Sequence, residues 1–200
     1  MTARDDFRGL LGRIRIVPPE REPEPRPEPE PTFDQQPFWQ QLVEIHAAWA
    51  SGDAGARPGA YWHGAVGCGK TFLARMFVRA ARRAGWSTFS GHLPDLVTET
   101  QSAMAREEGS RSTHAMLGAI REARIVFLDE LHLARTPHAQ DLARQLVNAS
   151  AERFLIVTAN VDAIEIAKRH NDEGLASRLL ALEQVEWPAS MPDLRVNGSE

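Results

Sequence analysis

The feature that most constrains this chain is a glycine-rich segment between a short apolar run and a helical pattern. Residues 64–71 read Gly-Ala-Val-Gly-Cys-Gly-Lys-Thr and match the pattern G-x-x-x-x-G-K-[ST]. The glycines let the backbone wrap around an anion, and the N–H groups that open the following helix point toward it. In such a loop Lys70 reaches the β- and γ-phosphates, and Thr71 can hold Mg²⁺. The pattern predicts a nucleotide site formed by Gly64, Ala65, Val66, Gly67, Cys68, Gly69, Lys70 and Thr71.

Short apolar runs alternate with longer helical patterns along most of the chain. Two runs, at 125–128 and 154–157, are apolar throughout, which is typical of central strands buried on both faces. This alternation predicts an α/β fold in which a five-stranded parallel sheet is covered by helices. The predicted strands are residues 60–63, 86–90, 125–128, 154–158 and 185–187. The predicted helices are residues 37–49, 70–84, 93–105, 113–123, 138–151 and 161–168.

Two adjacent carboxylates, Asp129 and Glu130, follow the apolar run at 125–128. Because α/β proteins bind ligands at the carboxyl edge of the sheet, we expect both carboxylates to lie beside the glycine-rich loop. We interpret Asp129 as a Walker B aspartate that binds Mg²⁺ through water. Glu130 would be the general base or orienting group for the attacking water, so the pair favours hydrolysis over nucleotide binding alone.

Two further residues complete the predicted site. Asn160 follows the strand pattern at 154–158, and we interpret it as a sensor-1 amide that reaches between the phosphates and the attacking water. Arg178 stands in the otherwise apolar helical segment 173–180. Two interpretations of Arg178 remain open. It can act on the γ-phosphate held by a neighbouring subunit, or it can form a salt bridge within its own subunit.

The first 31 residues differ in composition from the rest of the chain. Residues 18–31 read PPEREPEPRPEPEP, without an apolar side chain, which predicts a disordered, extended spacer. Residues 1–17 carry an apolar stripe at helical spacing, which fits either a peptide that folds on a partner or a disordered tail. The stripe consists of Phe7, Leu10, Leu11 and Ile14. A folded domain at residues 32–190 and a disordered tail at 191–200 complete the predicted organisation.

Composition excludes several classes of protein. The single cysteine cannot form an internal disulfide or a cysteine-based zinc site on its own. No apolar run approaches the roughly 20 residues of a membrane-spanning helix, and no signal-peptide pattern opens the chain. We therefore expect a cytoplasmic protein with no membrane insertion.

The charge distribution leaves single-stranded DNA as a candidate ligand. A net charge of −4 argues against coating nucleic acid by bulk charge. Local arginine stripes fit either contacts with DNA phosphates or an ordinary solvated surface. The candidates are Arg75, Arg79, Arg82 and Arg83 on the helix after the loop, with Arg106 and Arg111 around a Gly-Ser segment.

These motifs, in this order, resemble those of AAA+ ATPases over about residues 60–187. The segments GKTFLARMFVRAARRAGWSTFSGHLPDLV and GLASRLL are similar to the DnaC/IstB-type helicase-loader, or initiator, branch. The segments YWHGAVGCGKT and FLDELH are similar to the neighbouring ZapE-type ATPases. The resemblance implies an AAA+ type P-loop NTPase fold, ATP and Mg²⁺ as cofactors, and an ATP-dependent ring or spiral oligomer. Because only 13 residues follow Trp187, no C-terminal lid domain is expected.

The leading functional hypothesis is an ATP-hydrolysing protein that assembles with ATP and loads or remodels a DNA-bound partner, foremost a replicative helicase. A ZapE-like ATPase that acts on a division or membrane client is one alternative. The other is a slow ATP-dependent switch that presents its N-terminal peptide. Glu130 and Arg178 favour the enzyme over the switch, although neither residue fixes the turnover rate.

Overall fold

The computed structural model describes residues 31–105 and 111–191, where strands and helices alternate. The strands are β1 (Gly59–Gly64), β2 (Thr88–His92), β3 (Ile125–Asp129), β4 (Phe154–Thr158) and β5 (Glu183–Trp187). The α-helices are α1 (Gln36–Ala50), α2 (Lys70–Arg83), α3 (Leu93–Met104), α4 (Thr113–Glu122), α5 (Pro137–Ala149), α6 (Ala163–His170) and α7 (Glu173–Leu180). Short 3-10 turns occupy Phe33–Gln35 and Leu131–Leu133.

Several predictions concern residues outside this part of the chain. They are the spacer up to residue 30, the tail beyond residue 191, the candidate DNA contact Arg106, and the apolar stripe of Phe7, Leu10, Leu11 and Ile14.

The sheet is parallel throughout, with the strand order β2-β3-β4-β1-β5. The predicted α/β fold with a five-stranded parallel sheet is confirmed. Strands β3 and β4 are buried along their whole length, because helices cover both faces of the sheet. Strand β1 lies between β4 and β5. The carboxyl ends of β1, β4 and β3 therefore lie side by side, and the residues that follow them can form one site.

Two hydrophobic cores lie on opposite faces of the sheet. Adjacent residues of β1 contribute to both, because successive side chains of a strand point to opposite faces. Tyr61 packs with residues of α3 to α7, such as Leu146, whereas Trp62 packs with residues of α1 and α2, such as Phe77. On the second face Phe38 of α1 stacks on Trp187 of β5, with ring centroids 4.2 Å apart. The helices thus sandwich the sheet.

Strand β2 begins two residues later than the sequence pattern predicts. Trp86 belongs to the turn after α2, where Gly85 has a φ of 83° and the N–H of Trp86 donates to the carbonyl of Ala81. The Trp86 ring packs with the core on the α1 side. The shift extends β2 to His92, at the carboxyl edge of the sheet, whereas the predicted strand ended at Ser90.

Two further elements start two residues away from their predicted first residue. Helix α6 begins at Ala163 rather than at residue 161, because the Asp162 carboxylate accepts a hydrogen bond from the N–H of Glu165 at 2.7 Å and caps the helix. Strand β5 begins at Glu183 rather than at residue 185. In the described part of the chain no helix follows β5, and none of the described helices is long and apolar enough to cross a membrane.

Candidate nucleotide-binding site

The glycine-rich loop connects β1 to α2 as the pattern predicts. Gly64 ends β1 with a φ of 130°, and a Cβ there would lie 2.3 Å from the carbonyl oxygen of Trp187. Gly69 caps α2 with a φ of 97°, in the left-handed region that favours glycine. The loop needs glycine at both positions, one for close approach to β5 and one for the entry into α2.

Lys70 turns back into its own loop. Its side chain is buried, and Nζ donates to the carbonyl oxygens of Ala65 at 2.6 Å and Gly64 at 3.0 Å. The Cys68 thiol is also buried and donates to the carbonyl of Ala65 at 3.0 Å. Within the described residues no carboxylate pairs with the Lys70 ammonium. Nζ also lies 3.5 Å from the Cys68 sulfur. A buried cation held by neutral acceptors suits an anionic ligand such as a phosphate.

Asp129, at the end of β3, lies at the centre of the site. Its Oδ1 accepts hydrogen bonds from the hydroxyls of Thr71 at 2.8 Å and Thr158 at 2.5 Å. Its Oδ2 lies 3.5 Å from Nη2 of Arg75. The structure therefore brings together Thr71 and Asp129, the two predicted Mg²⁺ ligands. It adds Thr158, a β4 residue that the sequence analysis did not select.

Glu130 has a backbone φ of 57°, which is uncommon for a residue with a side chain and frequent at functional sites. Its carboxylate Oε2 lies 2.8 Å from Nε2 of His92, at the end of β2. The other ring nitrogen of His92 lies 3.1 Å from a carboxylate oxygen of Asp95. Burial disfavours the imidazolium, but the hydrogen bonds with Glu130 and Asp95 outweigh it and raise the pKa of His92.

Asn160 follows β4 at the same edge and contacts His132, from the turn after Glu130. The main-chain nitrogen of Asn160 lies 3.4 Å from Nδ1 of His132, and the side-chain amide nitrogen Nδ2 lies 3.0 Å from Nε2. Burial lowers the pKa of His132, which keeps the ring neutral. A neutral ring has only one accepting nitrogen, so only one of the two contacts is a hydrogen bond. The shorter one, from Nδ2 of Asn160 to Nε2, ties the side-chain amide to His132.

Arg178 lies at the opposite edge of the sheet. It is exposed on α7, and its Nη1 donates to the carbonyl of Gly174 on the same helix at 3.3 Å. It lines a cavity with Pro58, Leu155 and Leu182, which lie at or just before the amino ends of β1, β4 and β5. Among the described residues no carboxylate pairs with Arg178.

The candidate DNA-binding arginines lie outside this arrangement, with one exception. Helix α2 presents Arg75, Arg79, Arg82 and Arg83 on an exposed face and buries Leu73, Met76 and Phe77 on the other. Arg75 is the exception because it pairs with Asp129. Arg82 donates to the Thr88 hydroxyl at 2.5 Å, and Arg111 forms a two-point ion pair with Glu99 at 2.7 and 3.0 Å. Contact with DNA stays a prediction for these residues.

Sequence reasoning missed four residues of the site, namely His92, His132, Arg75 as a partner of Asp129, and Thr158. The shift of β2 explains the first, because the predicted strand ended two residues before His92. Thr158 lies inside an otherwise apolar run, and its role follows only from the pairing of β3 with β4. Arg75 stands one helical turn after Thr71, and this spacing could have placed it near Asp129.

The sequence that carries this geometry matches one known family. The model of the ATPase family associated with various cellular activities (AAA) matches residues 60–175. The chain belongs to the AAA family. This AAA protein is therefore an ATPase and binds a nucleotide.

Solved structures of replication proteins share the fold of this AAA domain. The DnaC helicase loader is 16% identical, with a TM-score of 0.59 and coverage of 80% of this chain and 93% of that one. DnaI is 18% identical, with a TM-score of 0.55 and coverage of 77% and 82%. The AMPPCP-bound DnaA of Aquifex aeolicus is 15% identical, with a TM-score of 0.60 and coverage of 77% and 46%. The chain thus spans less than half the length of this DnaA structure. No curated protein matches the sequence.

Proposed function

We propose that this AAA ATPase assembles head-to-tail when ATP is bound and loads or remodels a DNA-bound partner, foremost a replicative helicase. The observation that carries the proposal is the position of Arg178, at the amino edge of the sheet and away from Lys70 and Asp129. From there Arg178 cannot reach the glycine-rich loop of its own subunit, which suits an assembly of copies. The similarity to structures named DnaC helicase loader, DnaI and DnaA supports replication as the process.

The residues at the carboxyl edge fit a nucleoside triphosphate with Mg²⁺. Lys70 offers a buried ammonium without a carboxylate partner in the described residues, which a phosphate would complete. Thr71 and Asp129 offer a hydroxyl and a carboxylate 2.8 Å apart, the oxygen ligands that Mg²⁺ uses with nucleotide phosphates. The ion, when bound, neutralises charge that develops on the phosphates.

Glu130 and Asn160 carry the hydrolytic part of the proposal. Glu130 orients the attacking water and accepts its proton once its carboxylate no longer pairs with His92. Asn160, whose amide is fixed by His132, senses the γ-phosphate from the neighbouring strand. Loss of the γ-phosphate would then release the contacts that hold the assembly together.

Arg178 acts in trans in this proposal. Five residues of a parallel strand span about 16 Å, so the two edges of the sheet are farther apart than one arginine side chain extends. A neighbouring copy whose amino edge faces this carboxyl edge would bring its Arg178 to the γ-phosphate. An arginine in that position stabilises the transition state by a factor of about 10³–10⁵ in rate.

The exposed arginine face of α2 is our candidate surface for single-stranded DNA, and Arg111 is a second candidate. Exposure of all four α2 arginines supports this assignment. Phosphate contacts of this kind carry no sequence preference and weaken with salt. A DNA stimulation of turnover that declines as the salt concentration rises would support these contacts.

ATP turnover and molecular mass, measured together on the full chain, test the proposal. We expect the mass to increase with ATP and turnover to increase with single-stranded DNA. Lys70→Ala should abolish nucleotide binding, whereas Glu130→Gln should bind ATP and accumulate the assembled form. A monomer with negligible turnover under all conditions would favour the slow switch instead.

Mixing two inactive variants tests the trans role of Arg178. Arg178→Ala subunits keep an intact nucleotide site, and Lys70→Ala subunits keep an intact arginine. If Arg178 acts in trans, some mixed interfaces contain both and recover turnover. No recovery would favour a role within one subunit or a cycle that needs every site of the assembly.

The client is assigned by a capture experiment. The apolar stripe of Phe7, Leu10, Leu11 and Ile14 is our candidate docking peptide, and deletion of residues 1–31 should abolish capture of the replicative helicase while ATP turnover remains. Undiminished capture would contradict the docking role. Capture of a division or membrane protein in place of the helicase would favour the ZapE-like alternative.

A further inference from the structure

His132 joins two parts of the nucleotide site. It lies in the 3-10 turn Leu131–Leu133, directly after Glu130, and the N–H of Leu133 donates to the carbonyl of Glu130 at 2.9 Å. Its ring reaches across to Asn160, which follows β4. His132 is only 9% exposed, whereas Asn160 is half-buried and can still contact a ligand. A side chain from the turn of Glu130 thus holds the residue proposed to sense the γ-phosphate.

Only one nitrogen of the His132 ring can accept a hydrogen bond. Burial and three nearby cations lower the pKa of His132 against the opposite effect of Glu130, so the ring is neutral. A neutral imidazole carries one N–H and one free lone pair. Yet both nitrogens face donor groups of Asn160, Nε2 the amide nitrogen Nδ2 at 3.0 Å and Nδ1 the main-chain nitrogen at 3.4 Å. One contact is therefore satisfied, and the other sets two N–H groups against each other.

Turning the Asn160 amide end for end satisfies both contacts. Rotation about its Cβ–Cγ bond exchanges the oxygen and the nitrogen with little change of shape. Oδ1 then accepts a proton carried by Nε2, while Nδ1, now without a proton, accepts the main-chain N–H. The turned amide also frees its NH₂ group from His132. Because phosphate oxygens accept hydrogen bonds and do not donate them, this is the arrangement that a γ-phosphate selects.

We propose that His132 is a positioning residue whose tautomer changes with the nucleotide. Nε2 carries the proton when a γ-phosphate is bound, and Nδ1 carries it otherwise, as the 3.0 Å contact with Nδ2 requires. This inference rests on the proposed sensing role of Asn160. One proton leaves Nδ1 for solvent and one reaches Nε2 from solvent, so the ring stays neutral. His132 thereby decides which end of the Asn160 amide faces the γ-phosphate.

The place of His132 in the chain links this choice to hydrolysis. Its backbone belongs to the same turn as Glu130, whose φ of 57° is uncommon for a residue with a side chain. A ring held at both nitrogens fixes that turn more firmly than a ring held at one. Two hydrogen bonds to Asn160 therefore steady Glu130 beside the attacking water, and loss of the γ-phosphate releases one of them.

The tautomer is measured directly by 15N NMR of the full-length protein with labelled histidine. A ring nitrogen that carries a proton differs in chemical shift from one that does not, so spectra with Mg²⁺ and either ADP or the non-hydrolysable ATP analogue AMPPCP are compared. His132→Gln identifies the signals of His132 among those of the seven histidines. We expect a protonated Nε2 with AMPPCP and a protonated Nδ1 with ADP. The same tautomer with both nucleotides, or a ring protonated at both nitrogens, would overturn the proposal.

Nucleotide affinities test the positioning role by substitution. His132→Phe keeps a ring and removes both nitrogens, so the Kd for AMPPCP should rise about three- to tenfold, the range for one hydrogen bond. The Kd for ADP should stay unchanged, and kcat should fall. His132→Gln offers an amide that can donate to Oδ1 of Asn160 and should recover most of the preference for AMPPCP. An equal change of both Kd values in His132→Phe would show that the ring only supports the fold.

The matched control is His138→Phe. A ring nitrogen of His138 also contacts a side chain, the Thr100 hydroxyl at 3.0 Å, but this contact joins α5 to α3. The control should lose a comparable hydrogen bond and keep the wild-type ratio of the two Kd values. A ratio lowered as much as in His132→Phe would mean that the effect is not specific to His132.

Asn160→Ala separates this inference from the proposal on which it rests. If Asn160→Ala leaves the ratio of the two Kd values unchanged, Asn160 does not sense the γ-phosphate, and both proposals fail. If Asn160→Ala lowers the preference for AMPPCP and His132→Phe does not, the sensing role stands and the role of His132 is wrong. If His132→Phe does not fold, the NMR measurement on the wild type decides.

Discussion

Nε2 of His92 lies 2.8 Å from Oε2 of Glu130, so the last residue of β2 holds the carboxylate expected to act on water. Asp95, in the first turn of α3, pairs with the other ring nitrogen at 3.1 Å. With a carboxylate at each nitrogen, the doubly protonated imidazolium is the form that donates to both. The protonation state of His92 therefore decides how firmly Glu130 is held.

This pairing predicts a pH dependence of turnover. The pKa of His92 is raised above its ordinary value of 6.5, so His92 is an imidazolium below the raised pKa and neutral above it. Glu130 is held as an ion pair at the lower pH and released as pH rises, so kcat should increase through the raised pKa. In His92→Ala the acid limb of the kcat profile should move to lower pH. Near pH 6 the rate, relative to the plateau of each protein, should be at least severalfold higher than in the wild type. The reason is that each pH unit below the pKa of His92 lowers the fraction of enzyme with an unpaired Glu130 about tenfold.

Steady-state ATP turnover from about pH 5.5 to 9 measures this shift. His114→Ala is the control, because His114 is exposed on α4, and it should keep the wild-type profile. An acid limb at the same pH in His92→Ala and in the wild type would show that His92 does not govern Glu130.

The position of Arg75 beside Asp129 predicts that this arginine affects the Mg²⁺ concentration that the site requires. Its side chain is 59% exposed and lies 3.5 Å from Oδ2 of Asp129, which is 4% exposed. The guanidinium offsets the negative charge that would attract Mg²⁺. Arg75→Gln should therefore lower the Mg²⁺ concentration for half-saturation, by about two- to fivefold, since a solvent-exposed ion pair contributes less than about 1 kcal/mol.

A Mg²⁺ titration of fluorescent-nucleotide binding measures this effect at low and high salt. The difference between Arg75→Gln and the wild type should shrink as salt screens the charges. Arg79→Gln changes the same residue type one turn farther along α2 and should leave the Mg²⁺ concentration unchanged. A higher Mg²⁺ requirement in Arg75→Gln would mean that Arg75 assists metal binding instead of opposing it.

The sequence predicted those parts of the site that depend on local pattern. The loop at 64–71 and the pair Asp129–Glu130 each follow a strand, and strand ends can be read from apolar runs. The strand order depends on how the crossover helices pack, which is a long-range property. Contacts between strands, such as Thr158 with Asp129 and His92 with Glu130, therefore became visible only in the structure.

Trp86 shows why one boundary was wrong. An aromatic residue before Ser87 and Thr88 fits the composition of a strand. In the structure the guanidinium of Arg124 lies over the Trp86 ring at 4.2 Å, and His46 packs against the same ring. These contacts with residues distant in sequence hold Trp86 in the turn after α2 and set the start of β2.

His46 predicts a loss of stability at acidic pH. Its ring packs against Phe77, Trp86 and Phe154 at 4.8 to 5.3 Å, and its buried Nε2 finds no hydrogen-bond partner among residues 31–105 and 111–191. Burial, together with the charge of Arg124, lowers the pKa of His46 below 6.5 in the folded protein. The unfolded chain therefore binds the proton more tightly, and the free energy of unfolding should fall as pH decreases below 6.5.

Urea unfolding at a series of pH values tests this prediction. His46→Phe keeps an aromatic ring and removes the titration, so its unfolding free energy should change less between about pH 7 and 5 than that of the wild type. His114→Ala again serves as the control and should show the wild-type dependence. Identical pH dependence in His46→Phe and the wild type would assign the acid sensitivity to other groups.

Thr158 of β4 contacts both acidic residues, at the carboxylate of Asp129 and at the main chain of Glu130. Its hydroxyl donates to Oδ1 of Asp129 at 2.5 Å and accepts a hydrogen bond from the N–H of Glu130 at 3.4 Å, while the side chain is almost fully buried. Thr158→Val keeps the shape and removes the hydroxyl. Each lost hydrogen bond to a charged group costs about 1.5–3 kcal/mol, so kcat should fall by about tenfold or more.

Turnover and nucleotide affinity, measured for Thr158→Val and Thr158→Ser, distinguish this role from simple packing. Serine keeps the hydroxyl and loses a methyl group, so Thr158→Ser should retain most of the activity and lose some stability. Thr158→Val should keep most of the stability and lose activity, because valine fills the space but leaves Oδ1 of Asp129 with a single hydroxyl donor, Thr71. Equal kcat values for the two variants would mean that Thr158 acts through packing and that Asp129 is positioned by Thr71 alone.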